Sequence, residues 1–327
     1  MTSLLTEGQL YGLHVKTNIK LPISFPITVK QSTFEKDYVE ILFVNIPPIK
    51  LTNYQQYSKD GRSNVLYKKF EDKFLVETDR IGAIEVSSSH VYYFPLDNDF
   101  ESVSEKNGFL LSYGIGLSTL LRCKQRVVLH ATTLNVNGQT ILIMGPSGVG
   151  KSTLASYLLS KHNAIMISDD MTCINNEYIE LGFNMIRLWP DTLTTIFEKN
   201  PQDYVTVGKK GKVYFPLENQ MRNNRYRVDK FVFLELSQEN KTRYKELTPN
   251  EMCLNLFKHI YNKNNLFAPH LKADTEKIIS LVNRNNIKAI SVETPRTYGA
   301  LKEIASILLW LKTLKDLSGS RLIVIGI

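Results

Sequence analysis

The sequence predicts an α/β protein in two parts, a small β-rich amino-terminal domain over residues 1–120 and a domain of helices over a sheet over residues 121–327. Three observations carry that expectation. Residues 1 to about 120 hold short runs rich in β-branched and aromatic residues, punctuated by turn residues. Beyond residue 127, β-rich runs alternate with helical patterns, which puts helices over a sheet. Between an apolar run and a helical pattern lies GPSGVGKST, the strand-loop-helix context of a phosphate-binding loop.

Along the amino-terminal half, YVEILFVNI, NVLYKKF, KFLVETDRIGAIEV and HVYYFPL read as strands, with EDK and KDGRSN as turns. FLLSYGIGLSTLLRCKQ spaces its apolar residues helically and hands the chain to the second domain near residue 120. RVVLHATTLNVNGQTILIMG is two β-rich runs around Asn137-Gly138, the dipeptide preferred in a two-residue type I′ hairpin. In that register Val136 faces Gln139, and the ladder carried on sets His130 opposite Gly145. STLASYLLSKHN then reads as a helix with Leu154, Leu158 and Leu159 inward, and AIMISDD as a buried strand ending in two carboxylates. The remainder alternates RVDKFVFLELS (strand), PNEMCLNLFKHIYNK and TEKIISLVNRNN (helices), IKAISVE (strand) and YGALKEIASILLWLKTL (helix, with Leu301, Ile304, Leu308 and Leu311 on one face).

Composition narrows the class. With 43% hydrophobic and 22% charged residues in 327, the chain is neither disordered nor fibrous. No apolar run approaches the roughly 20 residues of a spanning helix, and MTSLLTEGQLYGLHV lacks the basic and apolar regions of a signal peptide, so no membrane partner and a cytoplasmic location are expected. Cys123, Cys173 and Cys253 are too far apart in sequence for a metal-ligand pair and are expected to be reduced. The net charge of +8 favours anionic partners, which nucleotide phosphates satisfy. Basic residues cluster at Lys209, Lys210 and Lys212 and at Arg222, Arg225 and Arg227; without interleaved aromatics these read as solvated loops, and no nucleic acid is expected.

The chemistry concentrates in the middle of the chain. Gly145, Gly150, Lys151 and Ser152 fulfil G-x-x-x-x-G-K-[ST], so Gly145, Pro146, Ser147, Gly148, Val149, Gly150, Lys151, Ser152 and Thr153 are the predicted polyphosphate cradle. Its backbone N–H groups turn toward phosphate, Lys151 reaches the β- and γ-phosphates, and the Ser152 hydroxyl is a Mg²⁺ ligand. Asp169 and Asp170 follow Lys151 by only 18 and 19 positions, at the carboxyl end of the next strand. One carboxylate there suits deprotonating an attacking hydroxyl and the other suits holding the metal. His130, beside the loop in the hairpin register, suits tuning a catalytic aspartate, whereas His14, His90, His162, His259 and His270 have no such neighbour.

The ordered set of histidine hairpin, P-loop and early paired aspartate resembles the catalytic domain of HPr kinase/phosphorylase and its relatives. The likeness runs from LLRCKQRVVLHATTLNVNGQTILIMGPSGVGKSTLASYLLSKHNAIMISDD through NMIRLWPDTLTTI and GKKGKVYFPL to the closing strand and helix. Through RLWPD (Arg187 to Asp191), the LH at Leu129 and His130 and the short β-rich first half, it is most similar to relatives found with lasso peptide biosynthesis, which phosphorylate a serine at the carboxyl end of a precursor peptide. The resemblance implies a mixed sheet flanked by helices, ATP and Mg²⁺ as cofactors, a precursor peptide or protein as substrate, and a possible homo-oligomer. It further implies that Lys151 and Ser152 bind nucleotide and metal, that Asp169 is the base acting on the acceptor hydroxyl, that Asp170 and His130 support it, with Asp170 also at the metal, and that the GKKGK lysines approach phosphate or substrate. ELGFNMIRLWPD stands where HPr kinase/phosphorylase carries an IRGLGI-like segment with a metal-binding glutamate, so a second metal contact is unassigned. Two other readings stay open at this level: a kinase of a small alcohol such as free serine or a sugar, and a nucleotide-gated module binding an anionic partner.

Overall fold

The computed structural model describes residues 5–19, 21, 25, 37–44, 55–60, 65–78, 82–95, 111–207, 211–217, 226–263, 268–284 and 287–313. Lys209, Lys210, Arg222 and Arg225, the closing RLIVIGI and the side chain of Leu311 lie outside them. The amino-terminal strands are β1 (Thr6–Leu10), β2 (Leu13–Thr17), β3 (Tyr38–Phe43), β4 (Gln55–Asp60), β5 (Val65–Phe70), β6 (Lys73–Thr78), β7 (Gly82–Val86) and β8 (His90–Pro95). They form one sheet in the order β1-β2-β3-β8-β7-β6-β5-β4. The chain then makes a π-helical turn at Leu111–Gly116 and continues as α1 (Leu117–Cys123).

The second half comprises β9 (Val127–Leu129), β10 (Thr132–Val136), β11 (Gln139–Met144), α2 (Lys151–Lys161), β12 (Ile165–Ser168), β13 (Thr172–Asn175), β14 (Tyr178–Glu180), β15 (Met185–Leu188) and α3 (Pro190–Phe197). It continues with β16 (Thr206–Val207), β17 (Lys212–Pro216), β18 (Tyr226–Arg227), β19 (Lys230–Leu236), β20 (Arg243–Glu246), α4 (Pro249–Lys258), α5 (Ala268–Val282), β21 (Lys288–Thr294) and α6 (Tyr298–Thr313). The central sheet runs β12-β10-β11-β19-β21-β20. β11, β19 and β21 are parallel, while β10 is antiparallel to both β11 and β12, so β12 points the same way as the parallel strands. The ends of β11 and β12 therefore open on the same edge, the edge where ligands sit in such sheets.

Alternation along the strands gives each face its own core. Ile141, Ile143, Val232 and Leu234 pack under α2 and α6 with Leu154, Leu158, Ile304 and Leu308. Leu142, Met144, Phe231 and Phe233 pack under α4 and α5 with Met252, Leu256, Ile278 and Leu281. A third cluster crosses the halves, joining Val15, Ile41 and Val91 with Leu117, Leu120, Val128, Phe183 and Tyr214. An ion pair ties α1 to α5: Arg122 Nε donates to Asp274 Oδ2 at 3.1 Å, each side chain 3% exposed. Asp274→Ala is expected to cost about 3–5 kcal/mol, because the buried Arg122 loses its counter-charge and keeps, among the described residues, only the Tyr261 carbonyl as a partner. A urea titration checks it, and Arg122→Met with Asp274→Leu should regain most of the loss.

The hairpin behaves as its sequence requires at the turn and departs from expectation at its far end. Asn137 and Gly138 take φ of 51° and 80°, the pair of positive values a type I′ turn needs, and the ladder runs from Val136↔Gln139 to Thr132↔Ile143. There it stops, so His130 does not face Gly145 as a ladder partner. The residues before it leave the central sheet: β9 pairs instead with β13, in a separate sheet ordered β18-β14-β13-β9. The physical reason is competition for the backbone, since Val127–Leu129 find their hydrogen-bonding partners in Thr172–Ile174.

Candidate functional site

The glycine-rich loop over residues 145–150 links β11 to α2, the strand-loop-helix arrangement that the motif predicts. Gly150, the residue before α2, has φ of 107°, and Gly145 has φ of 151°. At Gly145 the constraint is double, since a Cβ would stand 2.5 Å from the carbonyl oxygen of Leu234 on β19. Lys151 opens α2 and is 9% exposed; its Nζ donates to the carbonyl oxygens of Gly145 at 2.8 Å and Pro146 at 3.2 Å. Burial lowers its pKa against the pull of Asp170 and Asp169, and Lys212 and Arg187 push the same way as burial.

A cavity of about 270 Å³ spreads from this loop. Its lining brings together His130, Thr132, Ser147 to Leu154, Asp169, Asp170, Arg187 and Lys212. The two aspartates that follow β12 are held differently. Asp169 accepts from the Thr132 hydroxyl at 2.7 Å through Oδ1 and from the backbone N–H of Arg187 at 2.8 Å through Oδ2. Asp170, with φ of 68°, pairs through Oδ2 with Arg187 Nη2 at 2.5 Å. Burial would raise the Asp170 pKa, but Arg187, His130 and Lys212 outweigh it and hold the carboxyl below its ordinary value. The Tyr261 hydroxyl also hydrogen-bonds to Asp170, and the Tyr214 hydroxyl to Arg187.

His130 reaches the site by a route the hairpin did not foretell. Its backbone N–H donates to His259 O at 2.7 Å, and its Nδ1 lies 2.9 Å from Asp170 O and 3.5 Å from Asp170 Oδ1. His259, which the sequence left without a neighbour, thus supports His130, and its ring stacks on Phe233. Burial and the nearby His130 and Lys151 push the His259 pKa down to about 4, and burial with Arg122 pushes His270 to about 4 as well. Both folded values lie below the ordinary 6.5, so the unfolded chain binds more protons between those limits. Stability is therefore full above pH 6.5 and falls as pH drops toward 4. Melting curves between pH 7 and 4.5 should show that fall, and His259→Phe should make it shallower.

Arg187 and Tyr261 are site residues that sequence reasoning assigned no role. Arg187 lies in RLWPD, but its pairing with Asp170 depends on β15 lying beside the end of β12. Lys212 is a partial correction: it is no solvated loop lysine but opens β17, sits 5.3 Å from the Trp189 ring centroid and lines the cavity. The three cysteines are free thiols. Among the described residues no group of three or more His, Cys, Asp or Glu gathers as a metal site, and no helix is long and apolar enough to cross a membrane.

The residues present fit a nucleotide with Mg²⁺. Magnesium commonly binds through one or two carboxylates together with substrate phosphates, and the cavity offers it the Ser152 hydroxyl and the Asp170 carboxylate. The cavity's cations, Lys151, Arg187, Lys212 and Arg296, suit a polyanion, and beyond their chain neighbours neither Gly148 nor Gly150 has an atom within 4 Å of where a Cβ would stand, among the described residues.

No protein-family model matches the chain, and no curated protein sequence matches it. Among solved structures, the Hpr(Ser) kinase/phosphatase from Coxiella burnetii is similar at 13% identity and a TM-score of 0.30, over 58% of this chain and 98% of that one.

Proposed function

We propose that this protein is an ATP- and Mg²⁺-dependent kinase that transfers the γ-phosphoryl group to a serine hydroxyl of a peptide or protein, with a lasso-type precursor as the substrate class. The observation that carries the reading is one cavity holding a complete P-loop lysine and, across from it, two carboxylates backed by a histidine and an arginine.

In the step itself the acceptor oxygen bonds to the γ-phosphorus while the bond from that phosphorus to the β,γ-bridging oxygen breaks. ADP leaves, and the hydroxyl proton passes to a carboxylate. Asp169 is the group for that proton. Two fixed donors orient it without engaging all its lone pairs, whereas Asp170 is neutralised by Arg187 and is the poorer proton acceptor. Lys151 holds the β- and γ-phosphates, and Arg187 and Lys212 offset charge on the transferred group. Ser152 and Asp170 would hold Mg²⁺, which when bound supplies charge neutralisation between the phosphates. His130 keeps the Asp170 segment in place through its contact with Asp170 O.

Purified protein with ATP, Mg²⁺ and candidate precursor peptides should give phosphoserine by mass spectrometry. Absence of any phosphopeptide, together with an Asp169→Asn protein that binds ATP and matches wild type in every assay, would overturn the reading.

A further inference from the structure

The cavity over the glycine-rich loop extends beyond the groups that hold phosphate and Mg²⁺. Its lining continues into the segment that joins β21 to α6, Thr294 to Tyr298, together with the apolar Leu234, Leu301 and Ile304.

Sheet order fixes where that segment stands. β11, which enters the loop, has β10 and then β12 on one side and β19 and then β21 on the other. The aspartates follow β12 and Thr294 ends β21, so four strand intervals separate them, about 19 Å at the usual spacing of about 4.8 Å. The loop lies midway between. The parallel register adds depth on the β21 side. Met144, the last residue of β11, is level with Phe233, and Phe233 is level with Ser291. β21 continues past that level to Thr294, about 10 Å further at roughly 3.3 Å per residue, and stays paired with β19 as far as Leu236. The two strands therefore stand beside the loop as a wall. A nucleotide whose terminal phosphate faces the aspartates lies across the loop, and its other end meets this wall.

The groups on the wall are flat or apolar. Tyr298 opens α6, is 42% exposed and lines the cavity. Its hydroxyl stands 3.5 Å from Oδ2 of Asp191, which lies in the first turn of α3 and also lines the cavity, so the contact joins the two helices at the cavity's rim. Thr297 accepts from the Ala300 N–H at 3.4 Å and holds the start of α6. Leu301 and Ile304, 6% and 2% exposed, place apolar packing beneath the rim. Arg296 is exposed, and among the described residues no carboxylate pairs with it. Its guanidinium is planar and stacks on ring faces as well as pairing with anions.

Resting on the nucleotide part of the kinase reading, we infer that the β21–α6 turn is the seat of the nucleoside, with the Tyr298 ring against the face of the base and Arg296 as a second planar group beside it. The turn carries no carboxamide, the side chain that pairs in two places with an adenine edge. Recognition through the face is tolerant, because every base has one. Area still counts, and a purine offers more of it than a pyrimidine. The seat therefore selects purine nucleotides over pyrimidine ones and separates adenine from guanine poorly.

The test sets the nucleoside apart from the phosphates. ADP, GDP, CDP and inorganic pyrophosphate, each with Mg²⁺, are titrated calorimetrically into wild type, Tyr298→Ala, Tyr298→Phe and Arg296→Ala. Both positions are exposed, so the variants should melt like wild type. Tyr298→Ala is expected to weaken ADP roughly tenfold and Arg296→Ala by less, while Tyr298→Phe, which keeps the ring, stays within about twofold. Pyrophosphate affinity should stay within about twofold throughout, since none of these changes touches the glycine-rich loop. In wild type GDP should match ADP within about threefold, with CDP weaker than both. As a second measurement, 8-azido-ADP is photolysed on the wild type, and the label should fall on the peptide holding Arg296 to Tyr298 and be suppressed by excess ADP. Unchanged ADP affinity in both alanine variants, or a label confined to another segment, overturns the nucleoside seat and leaves the nucleotide reading standing. Equal losses of ADP and pyrophosphate overturn it too, because the damage is then to the phosphate end. A GDP affinity more than about tenfold from that of ADP overturns recognition through the face of the base. If wild type binds neither ADP nor pyrophosphate, the nucleotide reading fails, and this inference with it.

Discussion

Asp169→Asn is expected to lower phosphoryl transfer by about 10²–10⁴-fold, the usual range for a general base, while nucleotide affinity stays within about twofold. The size of the effect can be assigned to chemistry because asparagine preserves the local hydrogen bonds. Its amide oxygen accepts from the Arg187 N–H, and its NH₂ donates to the Thr132 oxygen once that hydroxyl rotates. The fold therefore survives and the proton acceptor is lost. Asp169→Ala separates the two roles: it strands the Arg187 N–H and the 1% exposed Thr132 hydroxyl, and each stranded buried donor costs about 1–3 kcal/mol. The measurements are single-turnover transfer with seryl peptide, calorimetric binding of ADP, and urea unfolding of both variants. An Asp169→Asn protein with wild-type turnover would move the base to Asp170.

Lys151→Met is expected to lower turnover by about 10²–10³-fold, the cost of removing one preorganised electrostatic group from a phosphoryl-transfer site, and to weaken ATP binding. Methionine reproduces the length of the lysine stem within the core of the loop, so the apolar contacts are kept. What is lost is the ammonium that Nζ carries 2.8 Å from Gly145 O and 3.2 Å from Pro146 O. Burial and the neighbouring Lys212 and Arg187 already oppose that charge, whereas Asp170 and Asp169 support it. A bound polyphosphate adds further negative charge and stabilises the ammonium, so ATP should suppress chemical modification of Lys151 in the wild type. Steady-state kinetics and the ATP dependence of the melting temperature check both halves of the expectation.

Much of the architecture was legible in the residues because it is fixed over short stretches. Asn137-Gly138 sets its own turn, since two successive positive φ values suit Asn and Gly and few other pairs, and the ladder register follows from it. Gly145 to Ser152 fix the loop for the same local reason. The run KFLVETDRIGAIEV reads as one β-rich stretch but divides into β6 and β7, which pair antiparallel from Phe74↔Val86 to Thr78↔Gly82. At His130 the hairpin register is no guide, because whether Val127–Leu129 continue one sheet or join another depends on where Thr172–Ile174 lie, more than forty residues away.

The site divides along the same line. The sequence alone determined the glycine-rich loop between β11 and α2, with Lys151 and Ser152 at its end, and the two carboxylates one strand later, since each is set by residue type and short spacing. Only the tertiary structure decided which carboxylate is ion-paired, because Arg187 meets Asp170 through the placement of β15, and Tyr261 through the segment that follows α4. It alone decided that Tyr11 and Tyr113, over fifty residues before those aspartates, wall a cavity behind them. Contacts of that kind are settled by the packing of whole elements against a shared core, a free energy summed over many side chains that no local pattern records.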